Sequence, residues 1–351
     1  MANLIDKTNL KSFVPPNALN HENFEELASK TFVEELAIGA TIFKEGEADK
    51  KSIYLVEGDV ELRAADGSTT IVSAGTEKTR HALSDLQPRR HTAVTKTACK
   101  VTRIDSDLLD ILMTWDQMSG IEVDEISVDG GGEEDEDSDG DWMTRILQSK
   151  AFLQIPPGNI QAMFMRIQEV PVSAGDTIIK QGEDGDYYYI INSGKCKVTK
   201  PSKTATELTL ATLSDGDAFG EEAFLSEAKR NANIVMITDG VLMRLSKEDF
   251  NELLKEPMLT WLTNEEADKL VADGTGVWID VRLDSEFKNN GIEGAINIPL
   301  YMLRMKVDKL DASKTYILYC DTGRRSSAGA YLLSERGLSA ACLKDGLSSR
   351  G

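Results

Sequence analysis

Two distant stretches of this chain are near copies of each other: Gly39-Ala-Thr-Ile-Phe-Lys-Glu-Gly46 and Gly175-Asp-Thr-Ile-Ile-Lys-Gln-Gly182. Each is followed at the same distance by a strand-like run ending on glycine, Ser52 to Gly58 and Tyr188 to Gly194. The register slips at the Asp66-Gly67 turn, which is longer in the second copy near Ser202-Lys203, and then holds through Val101 to Asp105 and Leu242 to Ser246. A duplicated domain accounts for this. Each copy reads as short alternating strands, with glycines at turns that need positive φ and a helix capped near Asp105 or Ser246. The expected product is a β-roll with flanking helices.

The 351 residues suit two or three domains, and 41% hydrophobic residues are enough to give each a core. With 59 acidic against 39 basic residues the formal charge is -20, which repels phosphate backbones and argues against nucleic-acid binding. Four cysteines form no CxxC pair, so neither a disulfide framework nor a metal site is expected, and a reducing cytoplasm fits. No window approaches the roughly 20 apolar residues of a membrane span, and the N-terminus lacks the pattern of an export signal.

The copies occupy 10–116 and 142–258. Between them, 117–141 is rich in Asp, Glu and Gly and reads as an acidic, disordered linker. Its Asp135-Glu-Asp-Ser-Asp-Gly140 imitates the start of a calcium loop, but Ile146 stands where the bidentate Glu belongs. From 259 to 351 helix and strand alternate: Thr263 to Asp273, Val277 to Arg282, Ala295 to Pro299, Thr315 to Cys320, Ser327 to Arg336 and Ala340 to Leu343. A capping box, Thr263 with Glu266, opens the first of these helices and Gly274 stops it. The fold class expected is multidomain, α+β rolls followed by a parallel α/β sheet.

In the second copy the informative run is Phe219-Gly220-Glu221-Glu222-Ala223, continuing to Lys229-Arg230-Asn231-Ala232-Asn233. Gly220 lets the backbone close on a ligand, Glu221 can accept from a sugar hydroxyl, and Arg230 can pair with a phosphate. The run resembles the phosphate-binding cassette of cyclic-nucleotide-binding domains. That resemblance implies cAMP or cGMP as effector, ribose on Glu221 and phosphate on Arg230, with Gly220, Glu222, Ala223, Asn231 and Ala232 lining the site. Family cassettes usually carry an apolar residue at Glu222, proline at Lys229, and Thr or Ser at Asn233. The first copy has Lys78-Thr79-Arg80 over Phe219-Gly220-Glu221, so its sugar acceptor has become cationic. It reads as a degenerate domain for packing or homodimerisation, with Arg80, Arg89, Arg90 and His91 satisfied by carboxylates, the alternative being a different, more anionic ligand held by those four residues.

The apolar run Thr315 to Tyr319 meets Cys320-Asp321-Thr322-Gly323-Arg324-Arg325. Loop N–H groups, a helix opening near Ser326 and two arginines form an anion cradle in which Cys320 is expected to ionise easily. Together with Trp278-Ile-Asp280-Val-Arg282 and Gly294 to Pro299, this resembles a single-domain rhodanese, the sulfurtransferase family. The resemblance implies a persulfide on Cys320, a loop-closing Arg325, and Arg324 with the N–H groups of Asp321 to Gly323 around an anionic donor such as thiosulfate. Gly291 and Glu293 replace a His and a Pro of the family, and its closing Trp helix is absent after Gly346. The combined expectation is a cytoplasmic, bacterial-type sulfurtransferase under nucleotide control. Its rival is a receptor whose thiol domain senses persulfide or docks partners.

Overall fold

The computed structural model describes residues 3–84, 86–119, 155–201 and 207–350. The calcium-like motif and most of the acidic segment lie outside them. In the first copy the strands are β1 (Asn3–Leu4), β2 (Phe32–Leu36), β3 (Thr41–Phe43), β4 (Lys51–Glu57), β5 (Asp59–Ala64), β6 (Thr69–Ser73), β7 (His91–Thr95) and β8 (Cys99–Asp105). They form two antiparallel sheets, ordered β1-β2-β8-β4 and β3-β7-β5-β6. Helices α1 (Lys7–Ser12), α2 (His21–Lys30) and α3 (Ser106–Ser119) flank the roll. Asp105 caps α3 by accepting from the Leu108 N–H at 3.1 Å. This helix continues into the segment expected to be linker: Gln117 and Met118 are buried, because the apolar face that starts at Leu109 and Leu112 still has a surface to pack on.

The second copy contributes β9 (Gln168–Val172), β10 (Thr177–Ile179), β11 (Tyr187–Ser193), β12 (Cys196–Lys200), β13 (Leu208–Leu213), β14 (Ala218–Phe219), β15 (Asn233–Met236) and β16 (Gly240–Ser246). One sheet, β10-β15-β12-β13, repeats the order of its counterpart strand for strand. The other, β14-β11-β16-β9, differs at its edge, where β14 stands at the position the first copy fills with a 3-10 turn, Glu77–Arg80. Helices α4 (Pro157–Arg166), α5 (Glu222–Leu225) and α6 (Lys247–Phe250) complete it, and Ser246 caps α6 as expected.

After the short α7 (Glu256–Met258), strands β17 (Thr260–Leu262), β18 (Gly276–Asp280), β19 (Ile296–Asn297), β20 (Thr315–Tyr319) and β21 (Ser339–Leu343) form an all-parallel sheet, ordered β17-β21-β20-β18-β19. Around it lie α8 (Asn264–Ala272), α9 (Asp284–Asn290), α10 (Leu300–Lys306) and α11 (Arg324–Glu335). The Thr263–Glu266 capping box is present at α8. Small residues let α11 lie tightly on the sheet: a Cβ on Gly329 would stand 2.7 Å from Leu318. One apolar core runs from the second roll into this domain, through Tyr188, Phe224, Phe250 and Tyr331 to Leu318 and Ile279. The domains are therefore not beads on a string. Burial couples them.

Candidate functional site

Two sites converge on the interfaces between these domains. In the second roll, Gly220 adopts φ +99, where a Cβ would stand 3.0 Å from both the Arg230 guanidinium and the Tyr187 carbonyl. Only glycine suits that corner without strain. The chain then turns into α5 with Glu221 at its N-cap and returns through Ser226 to Ala232. Gly220, Glu221, Glu222, Ala223, Arg230, Asn231 and Ala232 all line one cavity of ≈ 280 Å³, near the lower end of the roughly 300–1,000 Å³ typical of small-molecule sites. The seven residues named from sequence are thus brought together.

Their roles in this state differ from the simplest expectation. Arg230 is buried and donates to the Gly220 carbonyl at 2.7 Å, the Tyr187 carbonyl at 2.6 Å and Asp186 at 3.1 Å, so it closes the cassette against β11. Glu221 faces Arg304 of α10 at 3.4 Å, and Glu222 meets the same guanidinium at 2.5 Å while accepting from Asn231. Burial, then the nearby Glu335 and Glu222, push the Glu221 carboxyl up to about 8, with Arg304 pulling the other way. Arg304 and Met305 form part of the cavity wall. Sequence reasoning missed Asp186, Arg304 and Met305. Asp186 follows Gly182 closely enough to have been noticed, whereas the last two come from another domain and leave no local signal.

The first copy explains its own basic loop. Arg89 is fully buried, donating to the carbonyls of Leu83, Ser84 and Lys51 and to Asp49 at 2.8 Å. Arg80 pairs with Glu77 at 2.9 Å, and Arg90 donates to the Arg350 carbonyl at 2.6 Å. These charges are satisfied within the chain, by carbonyls as much as by carboxylates.

At the thiol loop, Gly323 adopts φ +99 and acts as N-cap of α11, which therefore opens at Arg324 rather than near Ser326. The Gly323 N–H donates to Cys320 Sγ at 3.2 Å, and the thiol itself lies 3.7 Å from the Ser326 hydroxyl. Cys320 is fully buried. Burial first, and the Asp110 carboxylate second, push its thiol up to about 11. The expectation of easy ionisation is corrected here: loop N–H groups do point inward, but the desolvation and the carboxylate outweigh them, and the arginines are engaged elsewhere. Arg325 lies between Asp110 at 2.7 Å, Glu286 at 2.9 Å and Asp321 at 3.0 Å. Arg324 is ion-paired with Glu227 of the cassette loop. Thr322 donates its hydroxyl to Asp110. Asp321 also holds Arg282 at 2.8 Å, and Arg282 in turn grips Asp280. A cavity of ≈ 320 Å³ between the first roll and this loop is lined by Asp110, Arg282, Glu286, Asp321, Thr322 and Arg325. Asp110 comes from the first copy, and nothing in its surrounding sequence marks it.

Among the described residues no group of His, Cys, Asp and Glu is placed to hold a metal ion, and no helix is long and apolar enough to cross a membrane. All four cysteines are free and buried.

Comparison with known proteins agrees with this domain order. The cyclic nucleotide-binding domain family matches residues 33–114 and 169–256, and the rhodanese-like domain family matches 263–349. The chain belongs to these families as a tandem cyclic nucleotide-binding domain protein with a C-terminal rhodanese-like domain. It is 35% identical over 114 residues to the cGMP-dependent protein kinase egl-4 of Caenorhabditis elegans, covering 32% of this chain and 15% of that one. Over 80 residues it is 40% identical to the cAMP-dependent protein kinase regulatory subunit of Debaryomyces hansenii, covering 23% and 17%. The chain thus spans less than a fifth of either relative's length. Among solved structures, the regulatory domain of Toxoplasma gondii PKA with cAMP aligns at TM-score 0.31 and 16% identity, over 76% of this chain and 94% of that one.

Proposed function

We propose that the protein is a cyclic-nucleotide-responsive sulfurtransferase working in a reducing cytoplasm. One observation carries the chemistry: Cys320 Sγ sits under the Gly323 N–H at the N-terminus of α11, inside the Cys-x4-Arg ring. That arrangement favours a sulfur anion over the thiol once the pocket is opened. The thiolate attacks the outer sulfur of a donor such as thiosulfate. A new S–S bond forms to Cys320, the donor's S–S bond breaks, and sulfite leaves with the electron pair. An acceptor thiophile then attacks the outer sulfur of the persulfide and regenerates the thiolate. Arg324, Arg325 and the N–H groups of Asp321 to Gly323 supply the positive potential along this path.

The effector is cAMP or cGMP in the second roll, with Glu221 accepting from a ribose hydroxyl. Arg230 uses three of its N–H donors on Gly220, Asp186 and Tyr187, which leaves two of the five for a phosphate. The test is thiocyanate formation from thiosulfate and cyanide. Wild type should turn over and Cys320→Ser should not. Absence of Cys320-dependent turnover would favour the second reading, a non-enzymatic receptor, which gains support from the buried thiol and its carboxylate-paired arginines.

A further inference from the structure

The cassette that would receive the nucleotide and the loop that carries Cys320 share their charges. Arg324, the fifth residue of the ring, is paired with Glu227, which lies in the cassette loop between α5 and Arg230. Arg325, the sixth, is paired with Asp110 on α3, and the same carboxylate accepts from Thr322. Arg324 is therefore neutralised by a carboxylate of the second roll, and Arg325 by one from the first roll together with Glu286 and Asp321 of its own domain.

The opposite end of the same interface is tied to the cassette twice. Arg304 on α10 binds Glu222 and Glu221, and Trp115 on α3 donates to the Lys229 carbonyl at 3.0 Å. Helix α3 also packs on both α10 and α11. Glu222, which departs from the apolar residue usual in such cassettes, thus has a partner that explains it.

We infer that this is a closed arrangement, in which Glu227 occupies Arg324 and Asp110 adds a third carboxylate to Arg325 beside Cys320, and in which nucleotide capture by Glu221 frees Arg324 and withdraws the Asp110 charge from the Cys320 loop. The inference rests on the reading of the second roll as a nucleotide site. A ribose seated on Glu221 enters the cavity that Arg304 and Met305 wall, so ligand and closed interface occupy the cassette at each other's expense. That competition is the differential affinity a ligand needs in order to shift two arrangements. Movement of the cassette carries Glu227 directly, and carries Asp110 through the Trp115–Lys229 bond.

The test uses the full chain and compares alkylation of Cys320 by anionic iodoacetate and neutral iodoacetamide, followed by mass spectrometry. The Asp110→Asn/Glu227→Gln variant should react with iodoacetate at least about tenfold faster than unliganded wild type, within the 5–150-fold range of ordinary coupling, with a smaller gain for iodoacetamide. Saturating cAMP or cGMP should raise the wild-type rate and leave the variant's unchanged. Because loss of the buried Asp110 carboxylate can loosen the fold, Glu227→Gln alone, at a half-exposed site, is the second variant and should give a part of the gain. An iodoacetate rate within twofold of wild type in both variants overturns the inference, as does a wild-type rate that neither nucleotide moves. If alkylation responds as expected but no variant forms thiocyanate, the sulfurtransfer reading fails while the closed arrangement stands. Thiocyanate formation that is equal with and without nucleotide, in wild type and variants alike, does the reverse.

Discussion

The two rolls hold an arginine in the same way and differ in what surrounds it. In each, the arginine backbone bonds to the glycine turn: Gly46 N–H to the Arg89 carbonyl at 2.8 Å, Gly182 N–H to the Arg230 carbonyl at 2.9 Å. In each, the side chain grips an aspartate and the carbonyl at the start of the next strand, Asp49 and Lys51 or Asp186 and Tyr187. An arginine kept in a copy that has lost its sugar acceptor is first of all a structural clamp. What sets the second copy apart is the corner Gly220-Glu221-Glu222, which replaces the turn Glu77–Arg80 and faces a cavity.

The largest expected effect tests the clamp. Arg89→Ala should cost about 3–5 kcal/mol, the loss typical of breaking a buried pair. Arg230→Ala should cost less, about 2–3 kcal/mol, because Asp186 is 68% exposed and much of the loss is two carbonyls left without a donor. Urea unfolding of the full chain measures both. An unliganded Arg230→Ala protein as stable as wild type would make that arginine a ligand residue only.

Gly220→Ala should come next, at roughly 1–3 kcal/mol, since the corner has positive φ and no room for a Cβ. Thr79→Gly, at the matching place in the first copy, should gain nothing there, because Thr79 already sits in an ordinary turn.

A smaller contrast lies in pH. The folded-state pKa of Glu221 is raised to about 8, so the folded protein keeps a proton that the unfolded chain releases near the ordinary value of 4.5. Its share of stability is present below about 4.5 and is lost as pH rises toward about 8. Thermal melts between pH 5 and 8 should show this fall, and Glu221→Gln should flatten it.

Much of this is legible in the chain alone. The glycine spacing disclosed the duplication because positive-φ turns restrict the residue type. The capping box at Thr263 and Glu266 marked the last domain because both partners are local. The cassette residues and the Cys320 ring were found as segments, and each folds into a single site. What stayed hidden was set by tertiary contact. Asp110, Arg304 and Trp115 carry no motif, and act only because α3 and α10 place them beside the two loops. The Cys320 thiol departs from its local sequence for the same reason: its own loop favours ionisation, while burial and a carboxylate from the first roll oppose it.

The most direct test of the difference between the rolls is calorimetric titration of cAMP and cGMP into the full chain. One nucleotide should bind per chain, Glu221→Ala should abolish the heat, and Arg80→Ala should leave it intact. Two nucleotides per chain, a flat wild-type titration, or binding that survives Glu221→Ala would contradict the account.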